Sequence, residues 1–344
     1  MLKEFKGYKK GVNLGGWLSQ CNHTVERYEN FIVEEDIKKL ASWGIDHLRV
    51  PVDYNLVEDK DGNYIESGFG YIQRAIDWCG KYGLNMILDL HKTFGYSFDS
   101  GEKELGFFEN EKYQERFCLL WEQFAKRYGN IGDRVAFELL NEVTEPSYGP
   151  IWNDISTKCI KRIRQYAPNV KILLGGYWNN SATAVKDLAM PVDENIVYNF
   201  HCYDPLIFTH QGATWLDVMP GDYRMGIDLT YDEFAEIHKA KFPTFAGGFH
   251  CPGDSSMKFG KEFFMDHFAE AVKVAEERNV ALYCGEYGVI DYANPKDVVL
   301  WYKYINETFE YYGLGRAAWS YKSMNFGLSD AWLEEVRDQV IALL

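Results

Sequence analysis

Cysteine is sparse in this chain and follows no pattern. The seven residues, Cys21, Cys79, Cys118, Cys159, Cys202, Cys251 and Cys284, are odd in number, scattered and without a C-x-x-C pair. Neither a disulfide framework nor a zinc cluster is expected, and the thiols read as small buried hydrophobes. Long apolar runs are missing too. No apolar stretch reaches about 18 residues, so no transmembrane helix is expected. Basic charge is short, with 36 Lys and Arg against 51 Asp and Glu and a formal net charge of −15. An acidic balance without a block of basic residues argues against nucleic acid and anionic membranes as partners. The opening residues Met1-Leu2-Lys3-Glu4-Phe5-Lys6 hold no signal-peptide h-region. The expectation is a cytoplasmic protein, or a secreted one whose signal has been removed. No linker, repeat or low-complexity tract interrupts the 344 residues.

What the chain does have is rings: 10 Trp, 24 Tyr and 22 Phe. Aromatics are core payload first, but their flat faces also stack on sugars, which favours a carbohydrate ligand. It also has a regular alternation of short apolar runs and segments with helical spacing. Strands are expected at 11–16, 47–51, 85–91, 135–142, 171–175, 196–203, 281–286 and 315–319. Helices are expected at 33–43, 71–81, 112–128, 152–166, 181–188 (weaker), 261–278, 296–312 and 332–343. Strict alternation calls for a parallel sheet, and eight units close into a (β/α)8 TIM barrel of the α/β class. An open doubly wound sheet is the runner-up, but no G-x-G-x-x-G follows the first strand. The chain reads as a single catalytic domain over 1–344. Its spare length, 204–260, reads as an insertion subdomain over the barrel mouth, after strand six, with a helical patch near 231–241.

Two of the apolar runs end on glutamate: Val135-Ala136-Phe137-Glu138-Leu139-Leu140-Asn141-Glu142 and Val280-Ala281-Leu282-Tyr283-Cys284-Gly285-Glu286. A carboxylate is costly to bury, so a glutamate at a strand exit belongs at the mouth of a site. Barrel sites lie at the C-terminal strand ends, and those ends carry Arg49, His91, Asn141, Glu142, His201, Tyr203, Glu286 and Trp319. Two facing glutamates suit glycosidic bond cleavage, one as acid and one as nucleophile. The acid needs a pKa raised by burial or a negative neighbour. The nucleophile needs a cation or hydrogen-bond donor beside it, such as Arg49 or Tyr203. Asn141 can donate to the sugar 2-hydroxyl, and Trp319 offers a flat apolar floor. Trp178 and Asn179 extend the cleft. Phe94, Tyr96, Phe208 and Trp215 are candidate stacking platforms or lid packing. Glu138 points to the same side as Glu142 but deeper, where it pairs with a buried cation such as Arg49. Glu145 reads as solvated.

Asn141-Glu142, Gly285-Glu286-Tyr287-Gly288 and His201-x-Tyr203 together resemble glycoside hydrolase family 5. Gly11-Val12-Asn13-Leu14-Gly15-Gly16-Trp17, Leu48-Arg49-Val50-Pro51 and Leu88-Asp89-Leu90-His91 add to the likeness, in the right order over nearly the whole chain. Within that family the chain is similar to the clostridial cellulase C type of β-glucanase, which carries a comparable insertion after strand six. The resemblance implies a retaining β-glucanase with Glu142 as acid/base and Glu286 as nucleophile. It places Arg49, His91, Asn141, His201, Tyr203 and Trp319 around the sugar at the cleavage point. One departure is Lys92-Thr93-Phe94 after His91, where some relatives have a second histidine.

The leading expectation is a retaining endo-β-glucanase on β-1,4 or mixed β-1,3/1,4 glucan, acting as a monomer, without cofactor or metal, on a β-glucan oligo- or polysaccharide. An exo-acting β-1,3-glucanase or β-glucosidase is the nearest rival. A metal-dependent hydrolase using His91, His201 and the two glutamates lacks an H-x-H pair. A non-catalytic sugar-binding barrel would need one of the glutamates replaced.

Overall fold

A parallel strand is buried on both faces, so it is written as a short continuous apolar run rather than an alternation. Eight such runs form the sheet: β1 (Lys10–Asn13), β2 (His47–Asp53), β3 (Asn85–Lys92), β4 (Val135–Glu138), β5 (Ile172–Gly175), β6 (Ile196–Cys202), β7 (Ala281–Tyr287) and β8 (Gly315–Ala318). Each pairs in parallel with the next, and Gly11 of β1 lies opposite Ala317 of β8, closing the barrel. That closure excludes the open sheet. The computed structural model describes residues 2–344 except 100, 103 and 245–248.

The outer helices are α1 (Glu34–Ala41), α2 (Glu66–Lys81), α3 (Glu111–Tyr128), α4 (Gly149–Ile163), α5 (Tyr231–Lys241), α6 (Lys261–Glu277), α7 (Pro295–Tyr312) and α8 (Arg337–Leu343). In α3, Phe117, Leu120, Trp121, Phe124 and Tyr128 make one buried stripe, and the Asn110 side chain caps the start. Asn294 and Pro295 open α7, and Gly313 closes it at φ 73°, a left-handed position that glycine takes without strain. Among the described residues, no helix is long and apolar enough to cross a membrane.

Several boundaries differ from expectation: β1 stops at Asn13 rather than 16, α2 starts at Glu66 rather than 71, and α4 runs Gly149–Ile163 rather than 152–166. The weak helix at 181–188 is a 3-10 turn, Ala182–Asp187, closed by three-residue hydrogen bonds such as Leu188 N–H to Val185 O. The last helix splits into a 3-10 turn, Ala331–Leu333, and α8. The β4 ladder stops at Glu138, four residues before Glu142; the chain runs on through single bonds from Leu139 N–H to Leu173 O and Asn141 N–H to Leu90 O.

The barrel lumen has two chemically distinct layers. One is an apolar cluster of Ile87, Ala136, Leu173, Val197, Ala281, Tyr283 and Ala317, joined by Phe5 and Tyr8, which stack at 4.2 Å. The other consists of Asn13, Arg49, Asp89, Glu138 and Asn199, all fully buried. In the 204–260 segment, a short helix (Leu206–Thr209) and α5 are present. Thr230 and Glu233 cap α5 reciprocally. Rings of Phe234, Phe249 and Phe259 then join it to Phe263 of α6.

Candidate active site

Arg49 on β2 is the hub of the polar layer. Its Nε and Nη2 donate to the two oxygens of Glu138 at 2.7 and 2.8 Å, a bidentate pair that neutralises the deep carboxylate. Nη2 also donates to Asn141 Oδ1 at 2.7 Å and lies 3.0 Å from Asp89 Oδ2. Nη1 donates to Asn13 Oδ1 at 2.9 Å and to Glu286 Oε1 at 2.7 Å. One buried cation thus faces three carboxylates, and burial pushes Asp89 up to about 7 despite its arginine neighbour.

Glu286 comes off β7, opposite His201 of β6, where a register shift follows Phe200. Such irregularities re-aim side chains at barrel rims. Its second oxygen accepts from the Tyr203 hydroxyl at 2.8 Å. A side chain at Gly285 would meet Asn199 and His201 within about 3 Å, which explains the glycine before this glutamate.

Glu142 has a different seat. Its Oε1 is 2.8 Å from His201 Nδ1, and its Oε2 accepts from Asn179 Nδ2 at 2.7 Å. Burial raises its pKa to about 7, against the lowering effect of the Asn179 bond. Burial also drops His201 to about 4, so the imidazole is neutral near pH 7 and donates from Nδ1. The backbone around Glu142 is held by the Tyr96 hydroxyl, which donates to Glu142 O at 2.8 Å and accepts from Thr144 N–H. The β5 exit is strained: Trp178, Asn179 and Asn180 all have φ between 50° and 57°. Bonds from Trp178 N–H to Thr144 O and Asn179 N–H to Val143 O lash that turn onto the β4 exit. The strain delivers Asn179 to Glu142 and Asn180 Nδ2 to Asn141 O.

A carboxylate oxygen of Glu142 and one of Glu286 lie within 4.8 Å of each other, and His201 Nδ1 stands between the two residues, 2.8 Å from Glu142 Oε1 and 3.7 Å from Glu286 Oε2. Trp319 lies parallel to His91, ring centroids 5.7 Å apart. His91 Nδ1 is 2.6 Å from Asp89 Oδ2, and its Nε2 is 3.2 Å from Gln20 Oε1. Added side chains at Gly15 and Gly288 would strike the Trp319 ring and carbonyl at 2.8 and 2.3 Å, so both glycines make room for it.

The sequence matches the cellulase family, glycosyl hydrolase family 5, over residues 7–325. The chain belongs to that family. It is a glycoside hydrolase. Cellodextrinase A of Ruminococcus flavefaciens is 47% identical over 317 residues, covering 92% of this chain and 86% of the relative. Endoglucanase C of Acetivibrio thermocellus is 36% identical over 341 residues, 98% of each chain. Among solved structures, the clostridial cellulose synthase subunit Z of Clostridioides difficile superposes with a TM-score of 0.77 at 24% identity, covering 98% of this chain and 99% of that one.

In this glycoside hydrolase the expected strand-exit residues Arg49, Asn141, Glu142, His201, Tyr203 and Glu286 share one hydrogen-bonded site, with His91 joined to Arg49 through Asp89 and Trp319 stacked on His91. Glu138 pairs with Arg49 as expected, and Glu145 is exposed. Phe208, weighed as a stacking platform or as packing, is wholly buried on the short helix that carries it, so packing is the outcome. Tyr96 is buried on the Glu142 backbone, and Phe94 packs between Tyr54, Tyr113 and the Arg116 guanidinium. Trp178 and Trp215 are about half exposed. Trp215 lies beyond His210, whose ring is 5.1 Å from that of Tyr203. Lys92, the departure noted above, donates to Glu102 at 2.7 Å.

Sequence reasoning missed Asn13, Gln20, Asp89 and Asn180. For two of them a signal existed. Asn13 closes β1, and Asp89 is two residues before His91, hence on the same strand face. Glu142, His201 and Glu286 could sterically hold an ion. His91, the other histidine weighed as a ligand, is committed to Asp89, Gln20 and Trp319.

Proposed function

We propose that the protein is a retaining endo-β-glucanase that cleaves β-1,4 or mixed β-1,3/1,4 glucan by double displacement. The carboxylate spacing carries this reading. Oxygens within 4.8 Å fit the close pair of retaining enzymes, about 5–5.5 Å between carboxyls, better than the roughly 6.5–9.5 Å that inverting enzymes leave for a water.

Glu142 is the acid/base. Protonated near neutrality by burial, it gives its proton to the glycosidic oxygen as that bond breaks. Glu286 attacks the anomeric carbon from the opposite face and forms the glycosyl–enzyme ester. The Arg49 and Tyr203 donors orient its oxygens for that attack. Glu142, now a carboxylate, then takes a proton from water, whose oxygen displaces Glu286. With Asn141 Oδ1 fixed by Arg49, its Nδ2 is the donor presented to the sugar 2-hydroxyl. Trp319 is the floor beneath the ring, with His91 and His201 beside it. Asn179, Trp178 and Trp215 extend the cleft, and 204–260 acts as an insertion over the mouth. The run of rings from Tyr203 through His210 to Trp215 supports that placement.

The name of the 47% identical relative favours a second substrate size, short cello-oligosaccharides rather than polymer. An exo-acting β-1,3-glucanase or β-glucosidase is the third possibility. A panel of barley β-glucan, carboxymethylcellulose, laminarin, mannan, cello-oligosaccharides and aryl glucosides, with time-resolved product profiling, separates them. Early mixed oligosaccharides from polymer support endo action. Turnover confined to short oligosaccharides replaces the polymer with cellodextrin, and glucose alone overturns endo action. Full activity after exhaustive chelation disposes of a metal mechanism.

A further inference from the structure

Strand alternation aims His201 and Tyr203 into the mouth and turns Cys202, between them, to the outer face beneath α6. There Cys202 Sγ, an Asp204 carboxylate oxygen and a His267 imidazole nitrogen all lie within 4.8 Å of one another. We propose that Cys202, Asp204 and His267 form a divalent metal site, of zinc type, that clamps together the two ends of the 204–260 segment.

The donor set specifies the ion. A thiolate, an imidazole and a carboxylate suit zinc or cobalt(II), not the hard oxygen-seeking magnesium or calcium. Around a tetrahedral zinc, bond lengths of about 2.0–2.3 Å place ligand atoms roughly 3–4 Å apart. His267 Nε2 and Asp204 Oδ2 already stand at 3.3 Å, and the sulfur lies within 4.8 Å of a donor atom of each. The His267 ring is steadied by a parallel stack on Phe263 at 5.9 Å. Access is one-sided. The Asp204 and His267 side chains are 39% and 22% exposed while Cys202 is buried, which gives an ion a path from solvent and leaves its fourth position to water. Binding would displace the protons held by the thiol and the imidazole.

The topology gives the site a purpose. Asp204 begins the long excursion after β6, and His267 lies in α6 just past its end. An ion joining them closes a loop of residues 205–266, and cross-links across long loops remove the most conformational freedom from the unfolded chain. Asp204 also follows Tyr203, whose hydroxyl bonds Glu286, so the clamp anchors that end of the strand. None of the three ligands has a part in the reaction proposed above.

The test is cobalt(II) titration of the full chain after chelation. The expected result is one equivalent bound, with tetrahedral visible absorbance and a near-ultraviolet thiolate-to-cobalt charge-transfer band that zinc abolishes. Cys202→Ser should lose the band, and His267→Gln should bind at least tenfold more weakly. His250→Gln, which removes the nearby His250–Asp266 surface pair, should behave as wild type. Zinc at a hundredfold excess over Kd should raise Tm by about 3–4 °C in the wild type and in His250→Gln only. Glucan hydrolysis by Cys202→Ser in chelator checks that it folds. Should it fail to fold, loss of the band and of the Tm rise in His267→Gln carries the test. No charge-transfer band in the wild type, a band that survives Cys202→Ser, or a Tm rise shared by all variants overturns the proposal.

Discussion

Two glutamates within 4.8 Å of each other sit in opposite electrostatic company. Glu286, on the β7 side, is bonded to a buried guanidinium and a phenol. Glu142, on the β4 side, is bonded to a neutral imidazole and an amide, and burial carries its pKa to about 7. Under the proposed mechanism, the same side chain is prepared for two tasks by its neighbours alone. The cation comes from β2 and the amide from the strained turn after β5, so the asymmetry is a product of which strand exits face one another around the ring.

The sharpest way to break this comparison is Glu286→Gln. It should cut kcat by about 10⁴-fold or more on every substrate while oligosaccharide affinity, measured by calorimetry, stays near wild type. A variant keeping more than about one per cent of activity would strip Glu286 of its role. Glu142→Gln should cost about 10²–10⁴-fold on unactivated glucan and much less on aryl glycosides whose leaving groups need no proton. Equal losses on both would erase the distinction between the two seats.

Tyr203→Phe removes one charge-assisted bond to Glu286, a contribution of about 1.5–3 kcal/mol. Steady-state kinetics should show kcat/KM lower by roughly 10–100-fold; an unchanged value would mean that Arg49 alone orients the carboxylate. The smallest effect sharpens the Glu142 side. The acid must be protonated, so activity should fall as pH rises through about 7. Asn179 donates to Glu142 and favours its charged form. Asn179→Ala should therefore move the alkaline limb of the kcat profile to higher pH. A limb that moves down would reverse the reading of that contact.

The residues legible in advance were those at the ends of apolar runs. A run such as Val135–Glu138 must be doubly buried, and the first charged groups at its exit have nowhere to go but the mouth. Arg49, Glu142, His201 and Glu286 follow from that local rule. Phe208 did not, because an aromatic just past a strand exit can face either way, and the turn of a four-residue helix decided it. Asn180 was hidden for a similar reason: its reach to Asn141 depends on three successive left-handed residues that no spacing rule anticipates. Tyr96 was weighed as a stacking platform or as packing, and what no ring chemistry foretold is that its hydroxyl pins the Glu142 backbone.

Sequence by itself determined the eight-fold alternation, the barrel and the set of polar groups at its mouth, because strand burial and helix spacing are local properties written residue by residue. Only the closed barrel decided which glutamate meets the arginine and which meets the neutral histidine. Those contacts join positions 237 and 59 residues apart, and their partners are chosen by register and ring closure.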